Sequence, residues 1–162
     1  MKTYEAIEAM VIPVGGEPET RLLVSDGNGS FRSAVERILG GEAEPITWPF
    51  GDSPAMFQRG GRLRPCMASD ANRAVYADAA MADMGVRSPA EPWRSIREGE
   101  FHDVTFGTLV CVGIAGEWGG CRSLTAAERD RVIERFGGAE SIASGRAEAH
   151  RLAYGTPFCD AA

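Results

Sequence analysis

The chain has 162 residues, of which 44% are hydrophobic and 25% charged, as in an ordinary single globular domain. Its formal net charge of −6 argues against a protein that binds nucleic acid by neutralising phosphates. No segment approaches the roughly 18 consecutive apolar residues of a membrane span. The acidic, alternating N-terminus differs from a secretory signal peptide, so we expect a cytoplasmic protein.

The first third of the chain predicts a hairpin followed by a helix. Apolar residues alternate over residues 5–14, which favours a strand, and a glycine-rich turn leads into a second strand over residues 21–25. Residues 30–39 have the apolar spacing of a helix. Ser30 is its predicted N-cap, and Gly40 is suited to end it.

The middle of the chain predicts irregular β-structure. Residues 42–50 alternate, but Pro45 and Pro49 favour an edge strand. Residues 55–59 and 62–66 flank a Gly-Gly pair and predict a tight hairpin.

An alanine-rich helix and a loop are predicted next. The apolar residues of the segment 70–84 favour a helix that ends at Gly85. Residues 86–100 contain two prolines and a glycine and predict a loop, which we expect Trp93 to pin to the body of the protein.

The last third predicts a central strand and two helices. The near-continuous apolar run of residues 104–115 favours one strand buried on both faces, with a bulge or a close backbone approach at Gly107. A capping box from Thr125 to Glu128 predicts a helix, whose inner stripe is Val132, Ile133 and Phe136. Residues 139–154 predict a polar, peripheral helix.

These elements alternate irregularly and predict an α+β fold: a single compact domain, mostly a small antiparallel sheet with two to four helices. We expect residues 1–136 to form the α+β domain. Residues 137–162 are expected to be a C-terminal helical extension that is packed on the domain or trails from it.

The residue types associated with catalysis and metal binding are sparse. The four cysteines are scattered without a CxxC pair, which favours reduced thiols and predicts no metal site and no cofactor. Neither histidine has an evident catalytic partner, so no catalytic residue is assigned. The alternative is a small cytosolic enzyme, a hydrolase or nucleotide-modifying protein, that uses Cys66 or His102.

One cluster predicts a binding surface. Arginines crowd a short region that also contains an asparagine, and aromatic residues lie just upstream; such a mixture grips anionic or planar groups. The predicted binding residues are Trp48, Phe50, Phe57, Arg59, Arg62, Arg64, Asn72 and Arg73. Solvated arginines over a partly buried aromatic cluster are the structural alternative.

The order of several short blocks between residues 10 and 136 resembles the DUF3846 family. The blocks are Val35-Glu-Arg-Ile-Leu-Gly-Gly41, Ile46-Thr-Trp-Pro-Phe50, Gly61-Arg-Leu63, Asn72-Arg-Ala74, Asp103-Val-Thr-Phe-Gly-Thr-Leu-Val-Cys-Val-Gly113 and Ser123-Leu-Thr125. The family usually carries acidic residues before a Gly-Lys hairpin, where this chain has Phe57-Gln-Arg-Gly-Gly-Arg62. The resemblance implies an accessory protein of a phage, plasmid or other mobile element.

We therefore expect a non-enzymatic binding protein that modulates or inhibits a host system. Its expected partner is a host protein or a small anionic ligand, with nucleic acid disfavoured by the net charge and no membrane association. If the partner is a protein, exposed arginine and aromatic side chains are its natural anchors.

Overall fold

The structure is a computed structural model and describes residues 2–46, 50, 53–61, 68–116 and 120–154. Within them, four helices and eight strands in antiparallel sheets form an α+β fold, as predicted. The described helices include none that is long and apolar enough to cross a membrane.

The elements follow one another in an irregular order. The strands are β1 (Ala6–Ile12), β2 (Glu19–Val24), β3 (Ala43–Ile46), β4 (Ala55–Arg59), β5 (Ala71–Tyr76), β6 (Phe101–Phe106), β7 (Leu109–Ala115) and β8 (Gly120–Arg122). The helices are α1 (Arg32–Leu39), α2 (Ala79–Asp83), α3 (Ala126–Phe136) and α4 (Ala139–Tyr154), and a 3-10 turn (Ala68–Asp70) precedes β5.

The main sheet has the order β2-β1-β7-β4-β3, and β8 pairs with the second half of β7. The predicted β1–β2 hairpin is present, with Ile7 opposite Leu23. Strand β7 is central, and the side chains from Leu109 to Val112 are fully buried because both faces of the sheet are covered.

Each face of the main sheet carries its own hydrophobic cluster. On one face, α1 packs Val35 and Leu39 against Val110 and Val112. On the other face, helix α3 contributes the buried Val132 and Phe136 of a cluster that includes Leu109 and Cys111 of β7. Alternate residues of β7 therefore serve two separate cores.

Strands β5 and β6 form a second, two-stranded sheet that α4 covers. A small apolar cluster of Ala71, Val104 and Ala149 lies between them. Helix α4 approaches closely because Gly145 has no side chain: a Cβ there would lie 2.5 Å from the backbone of Asn72. Residues 139–154 thus form the predicted helix, and it packs on the domain.

The prediction of a helix over residues 70–84 is wrong for its first half. Residues Ala71–Tyr76 form β5, and all of them except Tyr76 are buried. Only Ala79–Asp83 is helical, and it begins at Asp78, whose carboxylate accepts from the Met81 N–H. The alanine-rich pattern does not distinguish a buried strand from a helix.

The prediction of one strand over residues 104–115 is also wrong. The chain turns at Gly107, where a φ of 72° permits the change of direction. As a result, β6 belongs to the small sheet and β7 to the main sheet.

The predictions for α3 and for the 86–100 loop are correct only in part. The capping box between Thr125 and Glu128 is present, but Ile133 of the predicted inner stripe is 49% exposed. Trp93 is 78% exposed, and Ile96 instead anchors the 86–100 loop in the core.

One of the two predicted ends of α1 is confirmed. Gly40 ends the helix in the left-handed conformation, as predicted, but the N-cap position is Phe31 rather than Ser30.

The second half of the predicted 55–66 hairpin, residues 62–66, lies outside the described residues, and β4 itself pairs with β3 and β7.

Candidate functional site

The structure separates the aromatic residues of the predicted binding cluster. Phe50 belongs to the core on the α3 face of the main sheet, whereas Phe57 packs with the core on the α1 face. Arg59 is half-buried and lies against Gly41, where a Cβ would be 2.8 Å from the Arg59 Nε. Trp48, Arg62 and Arg64 lie outside the described residues.

Asn72 and Arg73 are interior residues, not members of the predicted surface. Both side chains are 0% exposed. The Asn72 amide nitrogen donates to the carbonyls of Ile12 and Gly107, each at 2.8 Å, and its oxygen accepts from Arg73 at 2.7 Å. These bonds connect β5 to β1 and to the β6–β7 turn.

The Arg73 guanidinium donates mostly to backbone carbonyls. Its Nε donates to the Phe136 carbonyl at 2.9 Å, and its terminal nitrogens donate to those of Pro13 at 3.4 Å and Gly16 at 2.5 Å. Burial lowers its pKa, and the nearby Glu17 carboxylate acts in the opposite direction. Arg73 therefore ties the β1–β2 turn to the end of α3.

A cleft of about 450 Å³ opens beside α3 and brings charged and aromatic side chains together. We call it the α3 cleft. Its lining residues are Phe50, Tyr76, Ala77, Asp78, Glu98, Gly99, Arg131, Glu134 and Arg135.

An aromatic ring and two guanidinium groups lie together in the lining of the α3 cleft. Arg131 and Arg135 are one helical turn apart on α3 and share one face. Their guanidinium carbons lie 5.6 Å and 5.9 Å from the centre of the Phe50 ring. Phe50 is itself held edge-to-face by Phe136, with ring centres 5.8 Å apart. The two arginine cations therefore lie over an aromatic ring that is itself held in place by packing.

Arg135 forms hydrogen bonds with two neighbouring residues of the cleft. It donates to the Asp78 carboxylate at 2.5 Å and to the Tyr76 carbonyl at 2.6 Å. Burial lowers the pKa of Arg135, the Asp78 carboxylate opposes this, and the charge of Arg131 lowers it further. Burial would raise the pKa of Asp78, but the Met81 N–H and Arg135 outweigh it and the pKa is lowered.

Arg131 differs from Arg135 in its exposure and in its partners. Its side chain is exposed and donates to the Ser53 carbonyl at 2.9 Å. No carboxylate of the described part of the chain pairs with it. A ligand carboxylate can therefore bind Arg131 without displacing an ion pair of the described residues.

Three carboxylates, those of Asp78, Glu98 and Glu134, line the α3 cleft together with the two guanidinium groups. The cleft thus has no excess of positive charge. This composition disfavours a multiply charged free anion, and it suits a segment in which a carboxylate has polar or basic neighbours.

The described cysteines have the properties of structural residues. Cys111 is fully buried, which raises its pKa to about 12. Burial also raises the pKa of the half-buried Cys121, which lines a second cavity of about 360 Å³ between α1 and β4. A nucleophilic cysteine needs the opposite shift.

The two residues of the enzyme alternative are only partly described. Burial lowers the pKa of the half-buried His102, and the charge of Asp103 acts against this. Cys66 lies outside the described residues. Within the ranges that the structure describes, His, Cys, Asp and Glu do not gather into a metal-binding group.

The sequence-based prediction missed Arg131, Arg135, Tyr76 and Asp78. The available signal was the spacing of the two arginines by four residues in the α3 sequence. That spacing predicts neighbouring cations, but it does not show that Phe50 lies beneath them.

Comparison of the chain with models of protein families, with curated proteins and with solved structures gives no significant match. The resemblance to the DUF3846 family therefore stays a prediction.

Proposed function

We propose that the protein is a non-enzymatic accessory protein of a mobile element that binds a host protein and thereby modulates or inhibits a host system. The α3 cleft is the proposed binding site. The mobile-element context rests on the resemblance of the sequence blocks, and the site rests on the structure.

The observation that carries the proposal is the Arg131 guanidinium, which is placed over Phe50 without a carboxylate partner among the described residues. An acidic side chain of a partner can bind this guanidinium in a bidentate manner. Its neighbouring residues can then contact the exposed carboxylates of Glu98 and Glu134. Arginine beside an aromatic ring is a frequent anchor of protein interfaces.

The mixed charge of the α3 cleft favours a protein segment over a small anion. Free phosphate carries no group that complements Glu98 and Glu134, whereas a polypeptide places basic or polar residues beside its acidic ones. Nucleic acid is disfavoured for the same reason and by the net charge of −6.

Affinity capture with a charge-reversed variant tests the proposal. The wild-type protein, Arg131→Glu and the control Arg37→Glu are immobilised and exposed to native host lysate. Arg37 is a suitable control because it is exposed in the last turn of α1 and does not line the cleft. Each captured protein is then purified, and its affinity for the three variants is measured by calorimetry.

We expect one stoichiometric partner that binds the wild type and Arg37→Glu equally well. Its Kd for Arg131→Glu should be at least about tenfold higher, because a charge pair is replaced by repulsion. A partner that binds all three variants equally would exclude the cleft as the site. Recovery of no stoichiometric partner would contradict the proposed function.

A further inference from the structure

The two edges of the main sheet differ in their protection against strand addition. Edge strand β3 contains Pro45, which has no N–H to donate, and acidic Glu44. Edge strand β2 is six residues long and contains neither proline nor glycine, although Pro18 directly precedes it. Among the described residues, β2 is therefore the edge of this sheet that is less protected against another strand.

Strand β2 directs alternate backbone groups away from the sheet. The Ser25 N–H donates to the Glu5 carbonyl at 2.8 Å, so the odd-numbered positions of β2 are the ones that bond to β1. The N–H and carbonyl groups of Thr20, Leu22 and Val24 consequently point outward. Leu22 and Val24 are also 64% and 55% exposed, which is unusual for apolar side chains of an edge strand.

We propose that β2 pairs with β2 of a second copy of this chain, antiparallel and around a two-fold axis beside Thr20. The side chains of β2 favour this occupant because they are complementary to themselves. With the axis at Thr20, Glu19 of each copy lies directly opposite Arg21 of the other copy.

The charges of the paired strands then form a closed ring. Within one chain, Arg21 already contacts Glu19 at 2.6 Å. Pairing places a second Arg21 opposite each Glu19, so each charge has two neighbours of opposite sign. Cross-strand pairs of opposite charge stabilise antiparallel strands. On the other face, Leu22 lies opposite Pro18 of the second copy; the Pro18 carbonyl can accept from the Leu22 N–H, but Pro18 has no N–H to donate in return.

Two-fold registers with the axis further along β2, at Arg21 or Leu22, form no ion pair between the strands. An axis at Arg21 places two arginines opposite each other, which is destabilising. An axis at Leu22 leaves Glu19 opposite Ser25 and forms no new ion pair. An axis that lies between two residues would place the outward-facing backbone groups of one copy opposite inward-facing groups of the other. Such registers are excluded.

Sedimentation velocity of the purified full chain tests the self-pairing over a concentration range of about 1 µM to 1 mM. The variants are Glu19→Arg, Arg21→Glu, the double exchange Glu19→Arg/Arg21→Glu, and Leu22→Pro. Proline at position 22 removes an outward N–H and leaves the bonds between β2 and β1 intact. Circular dichroism confirms that each variant is folded.

We expect the wild type to dimerise with rising concentration. Each single reversal should raise the dimer Kd at least about tenfold, and the double exchange should restore it to within about threefold. Leu22→Pro should remain monomeric; if it does not fold, the charge exchange alone decides. A wild type that stays monomeric throughout, or a double exchange as weak as the single reversals, would overturn the proposal.

Discussion

Replacement of Arg73 by methionine tests whether the buried Asn72–Arg73 pair holds the fold together. Methionine fills the aliphatic part of the space but donates no hydrogen bond. The carbonyls of Pro13, Gly16 and Phe136 then lose their common donor. These carbonyls belong to the β1–β2 turn and to the end of α3, so the loss affects the contact between the two.

The expected cost follows from these three bonds. A buried carbonyl without a donor costs about 1–3 kcal/mol. Pro13 and Gly16 are half-buried, so water can reach their oxygens and the lower value applies, whereas Phe136 is 1% exposed. Removal of the guanidinium also relieves the desolvation that lowers the pKa of Arg73. We therefore expect Arg73→Met to reduce the free energy of unfolding by about 3 kcal/mol.

Urea denaturation followed by circular dichroism measures this change. For a chain of this size, about 3 kcal/mol lowers the Tm by roughly 6–12 °C. Arg73→Lys should lose about 2 kcal/mol, because an ammonium keeps the charge but lacks the planar fork that reaches several carbonyls. Arg37→Met is the matched surface control and should cost less than about 0.5 kcal/mol. If Arg73→Met stays within that margin of the wild type, the buried pair does not support the fold.

Three further predictions concern other parts of the structure. Gly145→Ala should destabilise the protein by more than about 2 kcal/mol, because the added Cβ meets the Asn72 backbone. Urea denaturation measures this change, and unchanged stability would contradict the close packing of α4. Burial opposes ionisation of Glu128, but Arg122 and other hydrogen-bond donors lower its pKa to about 2. Its carboxylate therefore contributes stability above the unfolded pKa, as much as about 3 kcal/mol, that is lost as the pH falls from about 5 towards 2. The free energy of unfolding of Glu128→Gln should not show this loss as the pH falls. Partial burial of the Tyr76 hydroxyl, together with its hydrogen bond to the Glu148 carboxylate, raises its pKa to about 12. Ultraviolet titration should therefore show ionisation of a tyrosine near pH 12 that is absent from Tyr76→Phe.

The fold class and the terminal elements could be predicted because their signals are local. A capping box specifies the start of α3 through hydrogen bonds between neighbouring residues, and both bonds are present. The β1–β2 hairpin follows from alternation and a glycine-rich turn. Alternation and capping need no knowledge of distant residues.

The errors arise where distant contacts decide the conformation. Residues Ala71–Tyr76 are a strand because they pair with β6 and are covered by α4, and neither partner is adjacent in sequence. The apolar run of residues 104–115 contains one glycine that turns the chain between two sheets. Its composition alone favours an uninterrupted strand.

The same reason separates the predicted cluster from the residues that line the α3 cleft. Arginines close to aromatic residues in sequence predicted one surface, yet Phe50 and Phe57 lie on opposite faces of the main sheet, and Arg73 is interior. The arginines that do lie over Phe50 come from α3, much later in the chain. Proximity in sequence was therefore a poor guide to which side chains lie together in the fold.

The two roles of arginine in this chain can be told apart by their acceptors. Arg73 donates to fixed backbone carbonyls and has no room for a ligand, so its substitution should change stability. Arg131 rests on Phe50, donates to one carbonyl and is exposed, so its substitution should change binding with little effect on stability. Measuring both quantities for Arg73→Met and Arg131→Glu therefore tests the scaffold and the α3 cleft independently. A loss of binding in Arg131→Glu that merely followed a loss of stability would remove the reason to regard the cleft as a site.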